Sequence, residues 1–99
     1  MIMFIKNDYE KIIEAICAIK GIREEELVKI LKDKNCRYLM FFLMKKHNCL
    51  DVNRLNEDFY IKNKRIVTYG IKKAEKKLLI NKDFRAMYFK TQKIIEQMK

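Results

Sequence analysis

The densest chemistry in this sequence is basic. Between residues 59 and 80, Lys62, Lys64, Arg65, Lys72, Lys73, Lys76 and Lys77 stand against the single acid Glu75. At helical spacing Lys64, Thr68 and Lys72 share one ridge, with Arg65, Tyr69, Lys73 and Lys76 beside them. A concentrated positive face calls for a polyanion, either nucleic acid or an acidic membrane surface. The ordinary alternative is a solvated helix face. Tyr60 and Tyr69 lie among these cations, where an aromatic ring could stack on an unpaired base; packing in a turn suits Tyr60 equally well.

The remaining candidates are weaker. His47 and Cys49, spaced H-x-C, could be two metal ligands, but no second pair follows at zinc-finger spacing. Cys36 beside Arg37 could be an activated thiol, although a buried structural cysteine is commoner. Glu24, Glu25 and Glu26 cannot converge on one ion if they are consecutive in a helix, because their side chains point in different directions. No nucleophile–base pair or carboxylate dyad is apparent. The expectation is a binding protein rather than an enzyme, with no metal and no cofactor.

The chain that must position these residues is short. Its 99 residues fit one domain, and 49% hydrophobic content supports a modest core rather than a disordered tail. No proline and only two glycines leave few helix breakers. The formal charge is +10, yet residues 1 to 33 are nearly neutral, so the excess lies downstream. Three widely spaced cysteines, without a C-x-x-C pair, read as reduced thiols rather than a disulfide framework. The opening MIMFI is too short for a signal peptide, and no apolar run approaches membrane-spanning length. A cytoplasmic protein is expected, with no membrane as partner.

Apolar periodicity divides the chain into about six helices, an all-α fold in one domain spanning 1–99 with a core over about 9–98. Asn7 and Glu10 suggest a capping box opening the first helix, which carries Tyr9, Ile12, Ile13 and Ile16 inward and stops at Gly21. A short second helix starts with Glu24 to Glu26 at its dipole-positive end and turns Leu27, Val28 and Leu31 inward. CRYLMFFLMKKH, apolar on all sides, must be the central helix. Asp51 caps a fourth, with Val52, Leu55 and Phe59 inward, and YIKN reads as a turn. Asn63 caps the fifth, with Val67, Ile71, Ala74 and Leu78 inward and Gly70 permitting close packing. Phe84, Met87, Tyr88, Thr91, Ile95 and Met98 form the stripe of the sixth.

Two short helices joined by a tight turn, the second basic outside, make a helix-turn-helix pattern. The landmarks GIREEELVKIL, CRYLMFFLM, LDVNRLNEDF and VTYGIKKAEKKL, in that order, resemble the C-terminal DNA-binding domain of the bacterial replication initiator DnaA. The resemblance covers residues 9 to 98 and implies a Trp repressor-like helix-turn-helix fold that binds double-stranded DNA. The family opens its recognition helix with Arg-Asp-His-Thr-Thr; the matching positions here are Lys62, Asn63, Lys64, Arg65 and Ile66. Charge is kept at Lys62 and the base-reading types are all changed. The family's Gly-Gly turn is replaced by Tyr60 and Ile61, and the loop before Arg37 is shorter, leaving Lys29, Lys32 and Lys34 where the family delivers a minor-groove arginine.

The first function class expected is a stand-alone duplex DNA-binding protein, serving replication or transcription control or a mobile element. Base-reading candidates are Asn63, Lys64, Arg65 and Thr68. Backbone candidates are Arg37, Lys62, Lys72, Lys73, Lys76 and Lys34. No P-loop pattern occurs, so no nucleotide is expected as ligand. The alternative is a protein-interaction module that keeps the fold and has lost base reading.

Overall fold

Among the described residues, five α-helices begin on an Asn or Asp whose side chain accepts a hydrogen bond from the first helical turn. Asn7 accepts from the Glu10 amide to open α1 (Asp8–Lys20), and Asp33 from the Cys36 amide to open α2 (Lys34–Lys46). Asp51 accepts from Arg54 for α3 (Val52–Phe59), Asn63 from Arg65 for α4 (Lys64–Ile80), and Asn81 from Phe84 for α5 (Lys82–Gln97). Each bond satisfies an amide that the helix itself leaves without an acceptor. The computed structural model describes residues 7–98, apart from the side chains of Glu24, Glu25 and Leu27. No strand occurs among the described residues.

The expected second helix is different. Glu24–Lys32 forms a 3-10 segment, kinked at Glu26 (φ −112°, ψ 24°). The residue before it, Arg23, provides no side-chain cap, so this segment lacks what starts the other five. Its facing also departs from expectation. Val28 is 47% exposed, Leu31 is half-buried, and Ile30 is the residue sealed in the core. Leu27, expected inward, and the acids Glu24 and Glu25 lie outside the described side chains.

Around α2 the rest assembles. Cys36, Leu39, Met40, Phe41, Leu43 and Met44 are fully buried, as a helix apolar on all sides requires. α4 packs along α2, α1 packs on α2 and α5, and α3 rests against the 3-10 segment. Gly70 makes the α2–α4 approach possible: a Cβ there would lie 2.6 Å from Cδ2 of Phe41. Val67, Ile71 and Ala74 are buried on the same side of α4, and Leu78 packs partly buried against the core. On α5, Phe84, Thr91 and Ile95 are buried, with the Thr91 hydroxyl donating to the Met87 carbonyl.

Polar contacts tie the helices together at their edges. The Tyr9 hydroxyl donates to Asp58 at 2.8 Å, and the Arg54 guanidinium lies 4.4 Å over the Tyr9 ring, joining α1 to α3. Burial and the Asp58 carboxylate push the Tyr9 phenol well above its ordinary range. His47 Nε2 meets Gln92 Oε1 at 2.9 Å and Lys46 reaches the Tyr88 hydroxyl, binding the end of α2 to α5. Arg85 donates to the carbonyls of Leu78 and Leu79, satisfying the last turn of α4.

Candidate nucleic-acid interface

With Val67, Gly70, Ile71 and Ala74 turned into the core, two ridges run along the rest of α4. Lys64, Thr68, Lys72 and Lys76, four apart, are all exposed and form one outer line of the helix. Arg65, Tyr69, Lys73 and Lys77 form the second line, on the side facing the start of α2. Glu75 is the one acid on the helix.

The second ridge and α2 enclose a groove. Arg37, Tyr38, Arg65, Ile66 and Tyr69 line one part of it; Lys34, Asn35, Tyr69, Lys73 and Lys77 line its continuation. Tyr38 is buried and meets Tyr69 edge to face, with ring centroids 6.3 Å apart at 71°. Lys73 Nζ lies 5.4 Å over the Tyr69 ring, and Arg37 lies at the same distance over Tyr38. Arg37 also donates to the Leu31 carbonyl at 3.4 Å, which holds its half-buried side chain against the 3-10 segment. Two expected backbone contacts from outside α4, Lys34 and Arg37, are thus brought beside Arg65 and Lys73.

Other candidates stand apart from this groove. Lys62 is exposed in the turn between α3 and α4. Lys64 borders a separate concavity with Asp51, Val52 and Asn53, so the starts of α3 and α4 share one side of the molecule. Asn63 Oδ1 accepts the Arg65 amide at 2.8 Å, so an adenine contact there would share an oxygen already employed as the helix cap. Among the lysines of the shortened loop, Lys29 pairs with Glu26, while Lys32 and Lys34 are exposed.

The turn expected to replace a Gly-Gly pair is built on Tyr60, which adopts the left-handed conformation (φ 58°, ψ 29°) that glycine favours. Its amide donates to the Asn56 carbonyl, and the next side chain, Ile61, is buried as an anchor. α3 and α4 are held separately, α3 on the 3-10 segment and α4 on α2.

Charge compensation is uneven over the surface. Among the described residues the ion pairs are Lys20–Asp33 at 3.0 Å, Lys29–Glu26, Arg54–Glu10 at 3.9 Å and Arg54–Asp58 at 3.8 Å. None involves α4. Lys64, Arg65, Lys72 and Lys76 are exposed and Lys73 and Lys77 half-buried, and Lys73 lies over the Tyr69 ring.

The thiol and metal candidates resolve differently. Cys36 is fully buried, and burial, followed by the Asp33 charge, pushes its thiol up to about 11, so it is no activated nucleophile. Burial likewise pushes Cys49 up to about 11, and His47 is engaged by Gln92. No group of three or more His, Cys, Asp or Glu side chains among the described residues is placed to hold a metal ion. No described helix is long and apolar enough to cross a membrane.

Sequence reasoning missed Ile66 and Tyr38 as groove residues. Ile66 is 46% exposed, an apolar side chain one position off the buried stripe at Val67 and Ile71. That offset was its available signal.

No family model, no curated protein and no solved structure matches this chain.

Proposed function

We propose that this protein binds double-stranded DNA, with α4 as the element that enters the major groove. One observation carries the reading: the outer ridge Lys64, Thr68, Lys72 and Lys76 is wholly exposed and its charge is uncompensated. Uncompensated like charges along one helix repel each other, and a phosphate backbone relieves that repulsion while releasing counterions.

Size and placement support the same reading. α4 has 17 residues, a length of about 25 Å, and a helix about 10–12 Å across fits a major groove about 12 Å wide. The helix-turn-helix order, the shared side of the α3 and α4 starts, and the resemblance to the initiator's C-terminal domain point the same way. In this arrangement Lys64, Arg65 and Thr68, in the first turns, are base-reading candidates, with Asn63 divided between cap and base. Arg37, Lys62, Lys72, Lys73, Lys76 and Lys34 are left for phosphates. Lysine outnumbers arginine eighteen to five in the chain, and it meets phosphate as a point charge without a planar fork. Affinity with modest sequence discrimination follows.

Fluorescence anisotropy on a mixed-sequence duplex across a salt series tests the proposal. Binding is expected at ~50 mM salt and weakens steeply as salt rises. A protein that binds no duplex at that low salt overturns the reading, and the alternative of a protein-interaction module with the same fold takes its place.

A further inference from the structure

The outer ridge accounts for a polyanion, but not for the aromatic and apolar side chains set among the cations of the second ridge. Tyr69 is 55% exposed and Ile66 46% exposed, on a surface whose lining also includes Lys34, Arg37, Arg65 and Lys73. A duplex hides the faces of its bases, so it offers nothing for an exposed ring to stack on. An apolar protein segment would use Ile66 and Tyr69 but gives no reason for the surrounding cations. An unpaired nucleotide carries both a flat ring and a phosphate.

We propose that the groove between α2 and α4 binds single-stranded DNA, stacking an unpaired base on Tyr69 while Arg65 and Lys73 hold the adjoining phosphates. The inference rests on the DNA-binding reading of α4 and adds a second form of the ligand. Tyr69 is prepared for this role. Buried Tyr38 buttresses it edge to face, so its ring loses little freedom when a base arrives. Arg65, Tyr69, Lys73 and Lys77 recur every four residues, about 6 Å along the axis. A strand running beside α4 therefore meets cation, ring, cation and cation in turn. Asp33, the acid bordering the groove, is already held by Lys20 at 3.0 Å.

The test compares three probes of equal length: oligo(dT), an abasic deoxyribose-phosphate strand, and a mixed-sequence duplex. Wild type should bind oligo(dT) more tightly than the abasic strand. Tyr69→Ala should weaken oligo(dT) binding by about five- to a hundred-fold, the span of one lost base stack, and leave the abasic strand unaffected. Tyr69→Phe should keep the binding, and thermal melts check that both variants are folded. Equal affinity for oligo(dT) and the abasic strand overturns the proposal, as does a Tyr69→Ala loss shared by both. Duplex binding without oligo(dT) binding removes this inference and leaves the duplex reading standing. Tyr69-dependent oligo(dT) binding without duplex binding does the reverse.

Discussion

Gly70 on α4 faces Phe41 on α2 so closely that a Cβ at Gly70 would stand 2.6 Å from Phe41 Cδ2 and 3.3 Å from Cε2. Phe41 is fully buried in the middle of α2, where close packing resists a shift of its ring. The basic helix is therefore held against the central helix at a distance only glycine allows. Gly70→Ala should destabilise the protein by about 1–3 kcal/mol through overpacking, despite alanine's better helix propensity. Urea unfolding followed by circular dichroism measures this; a variant as stable as wild type would show that the contact yields easily.

Two of the three left-handed positions among the described residues, Gly21 and Tyr60, make opposite predictions. Gly21 ends α1 at φ 67°, with nothing within 4 Å of a would-be Cβ. Gly21→Ala should therefore cost about 1–2 kcal/mol from backbone strain alone. Tyr60 sits at φ 58° while 75% exposed, carrying the strain without much packing in return. Tyr60→Gly should be neutral or stabilising, by up to about 1 kcal/mol. Thermal melts of the pair separate the cases: a marked loss at Tyr60→Gly would mean that its ring makes contacts that stabilise the turn.

Local chemistry was what the sequence displayed. Asn7, Asp51 and Asn63 could be recognised as caps because a cap and its amide are two or three residues apart. The buried stripe Val67, Ile71 and Ala74 could be recognised because helical periodicity repeats within one segment. The 3-10 segment was not recognisable for the same reason in reverse. Its apolar residues suit a helix, but Arg23 offers no cap and Ile30 alone of Val28, Ile30 and Leu31 is fully buried.

Contacts distant in sequence were invisible. Tyr9 read as one more apolar-stripe residue, yet its hydroxyl is answered by Asp58, 49 positions away. Arg85 gave no sign that it would close the end of α4 through the Leu78 and Leu79 carbonyls. The candidate interface divides along the same line. The ridge Lys64, Thr68 and Lys72 followed from spacing within α4. The groove joining Arg65 and Tyr69 to Lys34 and Arg37 depends on how α2 and α4 cross, which no pattern within one helix encodes.

Asp33 should leave a signature in the pH dependence of stability. It caps α2 through the Cys36 amide at 3.2 Å and pairs with Lys20 at 3.0 Å. Burial opposes its charge, but Lys20 and the Cys36 and Asn35 amides outweigh it and hold the carboxyl below its ordinary value. A lowered folded-state value means stabilisation that is complete above the unfolded aspartate pKa of about 3.9 and lost as pH falls through the folded value. Asp33→Asn keeps a capping oxygen and removes the charge. It should be less stable than wild type near neutral pH by about 0.2–1 kcal/mol, the range of a partly exposed ion pair. That gap should close in acid, and a variant as stable as wild type near neutral pH would assign Asp33 a capping role only. Lys20, raised first by its bond to Asp33, loses its share at the alkaline end, as pH rises through its folded value.

The outer ridge makes a prediction about salt. If Arg37, Lys62, Lys72, Lys73 and Lys76 meet about five phosphates, the logarithm of duplex affinity should fall against the logarithm of salt with a slope of roughly −4.5. Lys72 and Lys76 are exposed and lie well past the first turns of α4, so replacing both with alanine should spare the fold. The double variant should weaken every duplex about equally and flatten the slope by roughly two units. Arg65→Ala should act differently if its guanidinium reads a base. Preference at one position of the site should then relax, at about 1–3 kcal/mol for the favoured sequence. Anisotropy titrations of the double variant and Arg65→Ala on favoured and scrambled duplexes separate the two roles. A double variant with an unchanged slope would remove these lysines from the interface. An Arg65→Ala loss shared equally by all sequences would reassign that side chain from base to phosphate.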